Sequence, residues 1–224
     1  MPGSLSCKTL WLKLGRAVLT KFQLEVARVF FTLPVSAHFL IAGGAALLAN
    51  ELSERRTQDI DLFTRQVRHV GEARDQFERA AKQEGWSTNR ILDEESMCRL
   101  SISGTEELII DFCVYAPPRN HPTVTFLDPT FAPLELAAHK LIALWDRAAA
   151  RDFVDVFVLA KSFHEDEILK QAKDLDHGLN DERLANQFGE LHKYSDTDLP
   201  IGADSVPALR QFFHDWSVRL RAGD

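Results

Sequence analysis

Two carboxylates one residue apart, Asp59 and Asp61, open the run Asp59-Ile60-Asp61-Leu62-Phe63. The run alternates acid with apolar, the period of a half-buried strand. Residues two apart on a strand share a face, so both acids point one way while Ile60 and Leu62 point into a core. Like charges held so close oppose each other's ionisation. A cation gripped by both removes that cost. Hard oxygen ligands favour Mg²⁺ (or Mn²⁺), and Mg²⁺ typically takes one or two carboxylates plus substrate phosphates.

Upstream, the apolar run Phe39-Leu40-Ile41-Ala42 ends in Gly43-Gly44. Glycine backbone can approach a phosphate closely, and the helix expected from Ala45 to Leu52 offers free N–H groups to an anion. One strand–helix–strand unit therefore supplies a cation site and an anion cradle, which is what a nucleoside triphosphate with its Mg²⁺ requires. Asp111 stands in the otherwise apolar run Leu108-Ile109-Ile110-Asp111-Phe112-Cys113-Val114. A carboxylate buried there without a partner costs several kcal/mol. It is read as a third metal ligand and general base, against the alternative of a buried pair with an arginine such as Arg99. Further on, Lys140, Leu144 and Arg147 share a helix face, and cations there would offset charge developing on a leaving pyrophosphate. Arg56 is a further candidate for steadying the triphosphate. Asp152 and Asp155 fall in the first turn of the next helix, where acids also serve simply as dipole partners.

The elements that must hold these residues follow from periodicity. A helix is expected over Leu10–Leu33, stopped by Pro34, and a charged amphipathic helix over Val70–Gly85. Two or three strands come next, among them Met97–Ile102 and Glu107–Tyr115 joined by a hairpin at Gly104. Pro117-Pro118 and the loop to Pro129 break the sheet. Helices then run to the end: Pro133–Arg147, Arg151–Phe163, Glu165–Asp174, Asp181–Tyr194 and Val206–Arg221. The fold class is α+β, a small mixed β-sheet core followed by a C-terminal helical bundle, with residues 1–128 as the first region and 129–224 as the second.

The 224 residues, 45% hydrophobic and 26% charged, suit one large globular domain or two small ones. The net charge of −7 argues against avid binding to long nucleic acid. Lys8, Lys13, Arg16, Lys21 and Arg28 nonetheless form a locally basic N-terminal stretch, and Glu165–Asp204 is acidic. The three cysteines, Cys7, Cys98 and Cys113, share no CxxC spacing, so neither zinc site nor disulfide framework is indicated. No apolar run reaches membrane-spanning length, and the N-terminus lacks a signal-peptide core; a cytoplasmic protein is expected.

The series Gly43-Gly44-Ala45-Ala46-Leu47, Arg56-Thr57-Gln58-Asp59-Ile60-Asp61-Leu62-Phe63, Lys140-Leu141-Ile142-Ala143-Leu144 and Arg151-Asp152-Phe153-Val154-Asp155 resembles the AbiEii/AbiGii-type nucleotidyltransferase toxins, which include the MenT-like proteins. The resemblance spans roughly residues 38 to 163. It implies a polymerase-β-like nucleotidyltransferase core. It further implies that Asp59 and Asp61 bind metal, that Lys140 contacts nucleotide phosphates and that Asp152 is an essential carboxylate. Thr57 takes a position where the family usually carries Ser or Thr beside the phosphates, and a charge added there would act on the metal site. Ala45 stands where the family usually has Thr or Ser. The implied activity is transfer of an NMP from an NTP to a hydroxyl, with the 3′ end of a tRNA as acceptor and a cognate antitoxin as partner. Two other readings stand beside it: adenylylation of a small aminoglycoside-type molecule, and a catalytically silent interaction module of the same fold.

Overall fold

The computed structural model describes residues 19–223, which divide into two compact units at Pro133/Leu134. The first described helix, α1 (Lys21–Phe31), starts later than its periodicity suggests. Thr20 has extended backbone (ψ 162°) and caps the helix by accepting from the Gln23 N–H, while the Gln23 side chain accepts from the Thr20 N–H. This reciprocal box fixes where the helix begins. Leu14 and Val18 of the expected helix lie outside the described residues.

A 3₁₀ turn, Pro34–His38, leads into β1 (Phe39–Ala42). The short α2 (Gly43–Ala49) and the loop to Gln58 then deliver β2 (Asp59–Thr64). After α3 (Val67–Gln83) come β3 (Ser87–Asp93), β4 (Met97–Ser103), β5 (Glu107–Val114), β6 (Thr123–Thr125) and β7 (Asp128–Thr130). All seven strands form one mixed sheet in the order β3-β4-β5-β2-β1-β7-β6. The β2–β5 and β1–β7 pairs are parallel and the others antiparallel.

Three strands depart from the sequence reading. β3 is mostly exposed and reads Ser-Thr-Asn-Arg-Ile-Leu-Asp, so it carries no apolar alternation to detect. The stretch read as a loop up to Pro129 contains the β6–β7 hairpin, with Asp128 at φ 96° at its turn. Pro129 lacks an N–H, and its strand β7 lies between β1 and the edge strand β6 and pairs with β1 at Thr130 alone. One face of the sheet is apolar, and α1 and α3 close it with a phenylalanine cluster. Phe30 lies 5.4 Å from both Phe39 and Phe112, and Phe77 lies 6.0 Å from Phe112. Each such ring taken out of water contributes roughly 2–3 kcal/mol. The other face carries the acids.

The second unit is helical: α4 (Pro133–Arg147), α5 (Ala150–Leu159), α6 (Glu165–Leu175), α7 (Asp181–Gly189) and α8 (Val206–Ala222). Its core is aromatic, with Phe213 5.1 Å from Phe153 and 5.0 Å from Phe188, and Phe188 4.9 Å from Trp216. No helix among the described residues is long and apolar enough to cross a membrane.

Candidate active site

β2 is buried at Ile60, Leu62 and Thr64 and half-buried at Asp59, Asp61 and Phe63, so both acids share the face away from the phenylalanine core. The parallel register sets Asp61 beside Asp111 of β5, and the antiparallel register sets Asp61 opposite Ala42 at the end of β1. The chain turns there at Gly43, whose φ is +60°. A β-carbon on Gly43 would lie 1.7 Å from Asp61 Oδ2, and one on Gly44 would lie 2.6 Å from Thr57 Oγ1. Gly43 is therefore required by contact as well as by conformation, and Gly44 by contact. They open α2 instead of preceding it, which sets the glycine backbone directly against the Asp61 carboxylate. Thr57, 8% exposed, donates its hydroxyl to Asp59 Oδ1. A hydroxyl thus stands at the glycine turn although residue 45 is a fully buried alanine. Arg56 is exposed, and its carbonyl accepts from Arg55.

Asp111 is 2% exposed, and both its oxygens are forked by Arg99, at 2.8 Å from Nε and 2.7 Å from Nη2. The Arg99 guanidinium is held above its ordinary value by this fork first, and then by the charges of Asp59 and Asp61. Arg99 thus places a positive charge among the three carboxylates. Among the described residues no group of three or more His, Cys, Asp or Glu is arranged to hold one metal ion. Asp111, expected as a third ligand or as the partner of an arginine, stands beside Asp61 in the register of β2 and β5. Asp111 takes the arginine partner, because a buried acid needs a counter-charge and the hairpin register puts Arg99 opposite it. Asp59 and Asp61 fit a hard cation as a pair: they lie on one face, half-exposed, beside a turn stripped of side chains. Burial first, and then Asp111 and Asp61, push the neighbouring Cys113 thiol up to about 12, which disfavours the thiolate.

The second unit brings together the other expected residues. Lys140 Nζ lies 2.9 Å from Asp155 Oδ2, with the Asp155 side chain 1% exposed. Arg147 forks Asp152 at 2.8 Å through both Nε and Nη2, and the Asp152 side chain is fully buried. Lys140 and Arg147 each meet a different carboxylate of α5. Asp152 is more than a dipole partner at a helix start. The sequence reading passed over two residues of the first unit. Arg99 entered only as an alternative partner, and Gln23, whose Nε2 donates to the Thr57 carbonyl at 2.8 Å, carried no motif at all.

The fold is similar to those of solved proteins. The nucleotidyltransferase toxin MenT4 from Mycobacterium tuberculosis is 13% identical, with 94% of this chain and 89% of that one covered at a TM-score of 0.56. The antibiotic-resistance factor ANT(2″)-Ia is 14% identical, with 79% of this chain and 100% of that one covered at a TM-score of 0.51. These likenesses show a common fold. No curated protein matches the sequence. Residues 27–215 match the model of the AbiEii nucleotidyl transferase toxins of type IV toxin–antitoxin systems, and the chain belongs to that family. It is a nucleotidyltransferase.

Proposed function

We propose that the protein uses Mg²⁺ or Mn²⁺ to transfer an NMP from an NTP to a hydroxyl of an RNA acceptor, the 3′ end of a tRNA, as the toxin partner of a cognate antitoxin. The observation that carries the site is the contact between the Asp61 carboxylate and the bare Gly43 backbone, with Asp59 on the same face. It sets a cation-binding pair directly against a turn that can seat phosphate. In this reading the acceptor oxygen forms a bond to the α-phosphorus, the bond from that phosphorus to the bridging oxygen breaks, and pyrophosphate leaves. The hydroxyl proton passes to solvent. A divalent ion held by Asp59 and Asp61 would supply charge stabilisation for the attacking and leaving oxygens. Gly43 and Gly44 keep side chains out of the phosphate path. Thr57 orients Asp59, and Asp111 holds Arg99 beside the pair. The phosphate-contacting role of Lys140 and the essential role of Asp152 belong to this proposal through the family resemblance. In the structure Lys140 pairs with Asp155, and Asp152 pairs with Arg147, within the second unit.

The experiment incubates the protein with α-³²P-labelled NTPs, Mg²⁺ and either total tRNA or aminoglycosides. Label is expected on tRNA, and Asp59→Asn and Asp61→Asn should abolish it. Label on the drug instead would favour small-molecule adenylylation, for which the fold shared with ANT(2″)-Ia speaks. Undiminished labelling by both variants would refute the site.

A further inference from the structure

The loop from α2 to β2 ends at Thr57 and Gln58, and the direction of the Asp59 carboxylate depends on how that end is held. Thr57 Oγ1 reaches Asp59 through its side chain, but the Thr57 backbone is fixed from elsewhere. Gln23, 3% exposed on the first turn of α1, donates Nε2 to the Thr57 carbonyl at 2.8 Å. Its Oε1 accepts from the Thr20 N–H at 2.8 Å. Both ends of one amide are therefore spoken for, so the group cannot flip without losing both hydrogen bonds, one of them buried. Thr57 also packs against Gly44, where a β-carbon would approach within 2.9 Å of its Cβ.

We infer that Gln23 is a positioning residue for the divalent-cation site, an inference that rests on the reading of Asp59 and Asp61 given above. The chain of contacts runs from the α1 cap through the Gln23 amide to the Thr57 carbonyl. From there the Thr57 hydroxyl carries it to Asp59 Oδ1. Outer partners that orient a ligating carboxylate typically contribute 10–100-fold to metal affinity. Gln23 does so from a helix that contributes no ligand. It fixes the carboxylate direction and, by holding Thr57 against Gly44, the width of the turn that seats phosphate.

The test measures Mn²⁺ binding to the full chain without nucleotide, from the loss of the free-ion electron paramagnetic resonance signal, beside thermal melting. Gln23→Met removes the amide at similar volume and should weaken Mn²⁺ binding about tenfold. Thr57→Val removes only the hydroxyl and should do the same; if Gln23→Met fails to fold, Gln23→Glu, which keeps the oxygen accepting from Thr20 and loses the donor to the Thr57 carbonyl, decides the matter. Thr20→Ala breaks the helix cap but leaves the bond from Gln23 to Thr57. It should lower the melting temperature and leave Mn²⁺ affinity unchanged. The inference is overturned if Gln23→Met and Thr57→Val bind Mn²⁺ like the parent while Asp59→Asn does not. It is equally overturned if Thr20→Ala weakens binding as much as Gln23→Met, since that would mean general loosening. Binding by Asp59→Asn at the parent's affinity would remove the site reading itself, and this inference with it.

Discussion

Replacing Arg99 by methionine tests the electrostatics of the acidic face most directly. Asp111 accepts two short charge-assisted bonds, at 2.7 and 2.8 Å, and its side chain is 3% exposed, whereas that of Arg99 is 42% exposed. The two partners are therefore unequal. Losing the arginine strands a buried carboxylate, for which the typical cost is about 3–5 kcal/mol. The partly solvated arginine places the expected value at the lower end, about 3 kcal/mol. Losing the acid, as in Asp111→Asn, leaves an arginine that can turn into water and an amide that still accepts one bond, for a cost of about 1–2 kcal/mol. Urea unfolding of the three proteins at pH 7.5 gives both differences. Arg99→Met combined with Asp111→Asn should recover at least half of the loss seen in Arg99→Met alone, because the stranded charge is gone. Equal destabilisation by the two single variants, or strictly additive losses in the double, would refute the argument that Arg99 is the buried acid's counter-charge.

Other outcomes follow from the same coordinates. Gly43→Ala forces a β-carbon to 1.7 Å from Asp61 at a φ of +60°, so transfer activity should fall at least 100-fold, on the order of 3 kcal/mol of misplacement; activity within fivefold of the parent would contradict the contact. Lys140→Met removes the ammonium 2.9 Å from Asp155, whose side chain is 1% exposed, and should lower unfolding free energy by about 3 kcal/mol, read from urea midpoints. Stability should also fall in acid. Burial first, then Lys140, pushes His139 down to about 4, while burial, His38 and Arg68 lower His69. Both imidazoles are favoured neutral in the fold, so their contribution is complete above about 6.5, the unfolded value, and falls away below it, that of His139 as pH drops through about 4. The His139 part is about 3 kcal/mol. Unfolding at pH 7.5, 5.5 and 4.5 checks it, and His139→Leu should flatten the profile.

The chemistry-bearing strand was legible because its pattern and its function coincide. Asp59 and Asp61 alternate with core residues, so the period that betrays the strand also says which way the acids face. The hairpin joining β4 to β5 was legible from Gly104, and its register carried a further signal that was not used. Pairing Ser103 with Glu107 across a short loop puts Arg99 opposite Asp111 by counting alone. Other parts were not legible. β3 has a polar face and a half-exposed one, so no apolar rhythm marks it. β6 and β7 are three residues each, too short to show a period. The bond from Gln23 to Thr57 joins residues far apart in sequence, and nothing local announces a contact made by tertiary packing. The helical half was readable in element type, with ends shifted where Ala160 and Glu190 close their helices.

The arginine fork has a consequence for how the molecule meets its ions. In a small zinc domain the metal completes the fold, and a chelator unfolds the protein. Here the chain carries a resident counter-charge of its own beside the acids, tethered through β4. Withdrawing divalent ions should silence the enzyme while leaving it folded, and returning them should restart it without any refolding step.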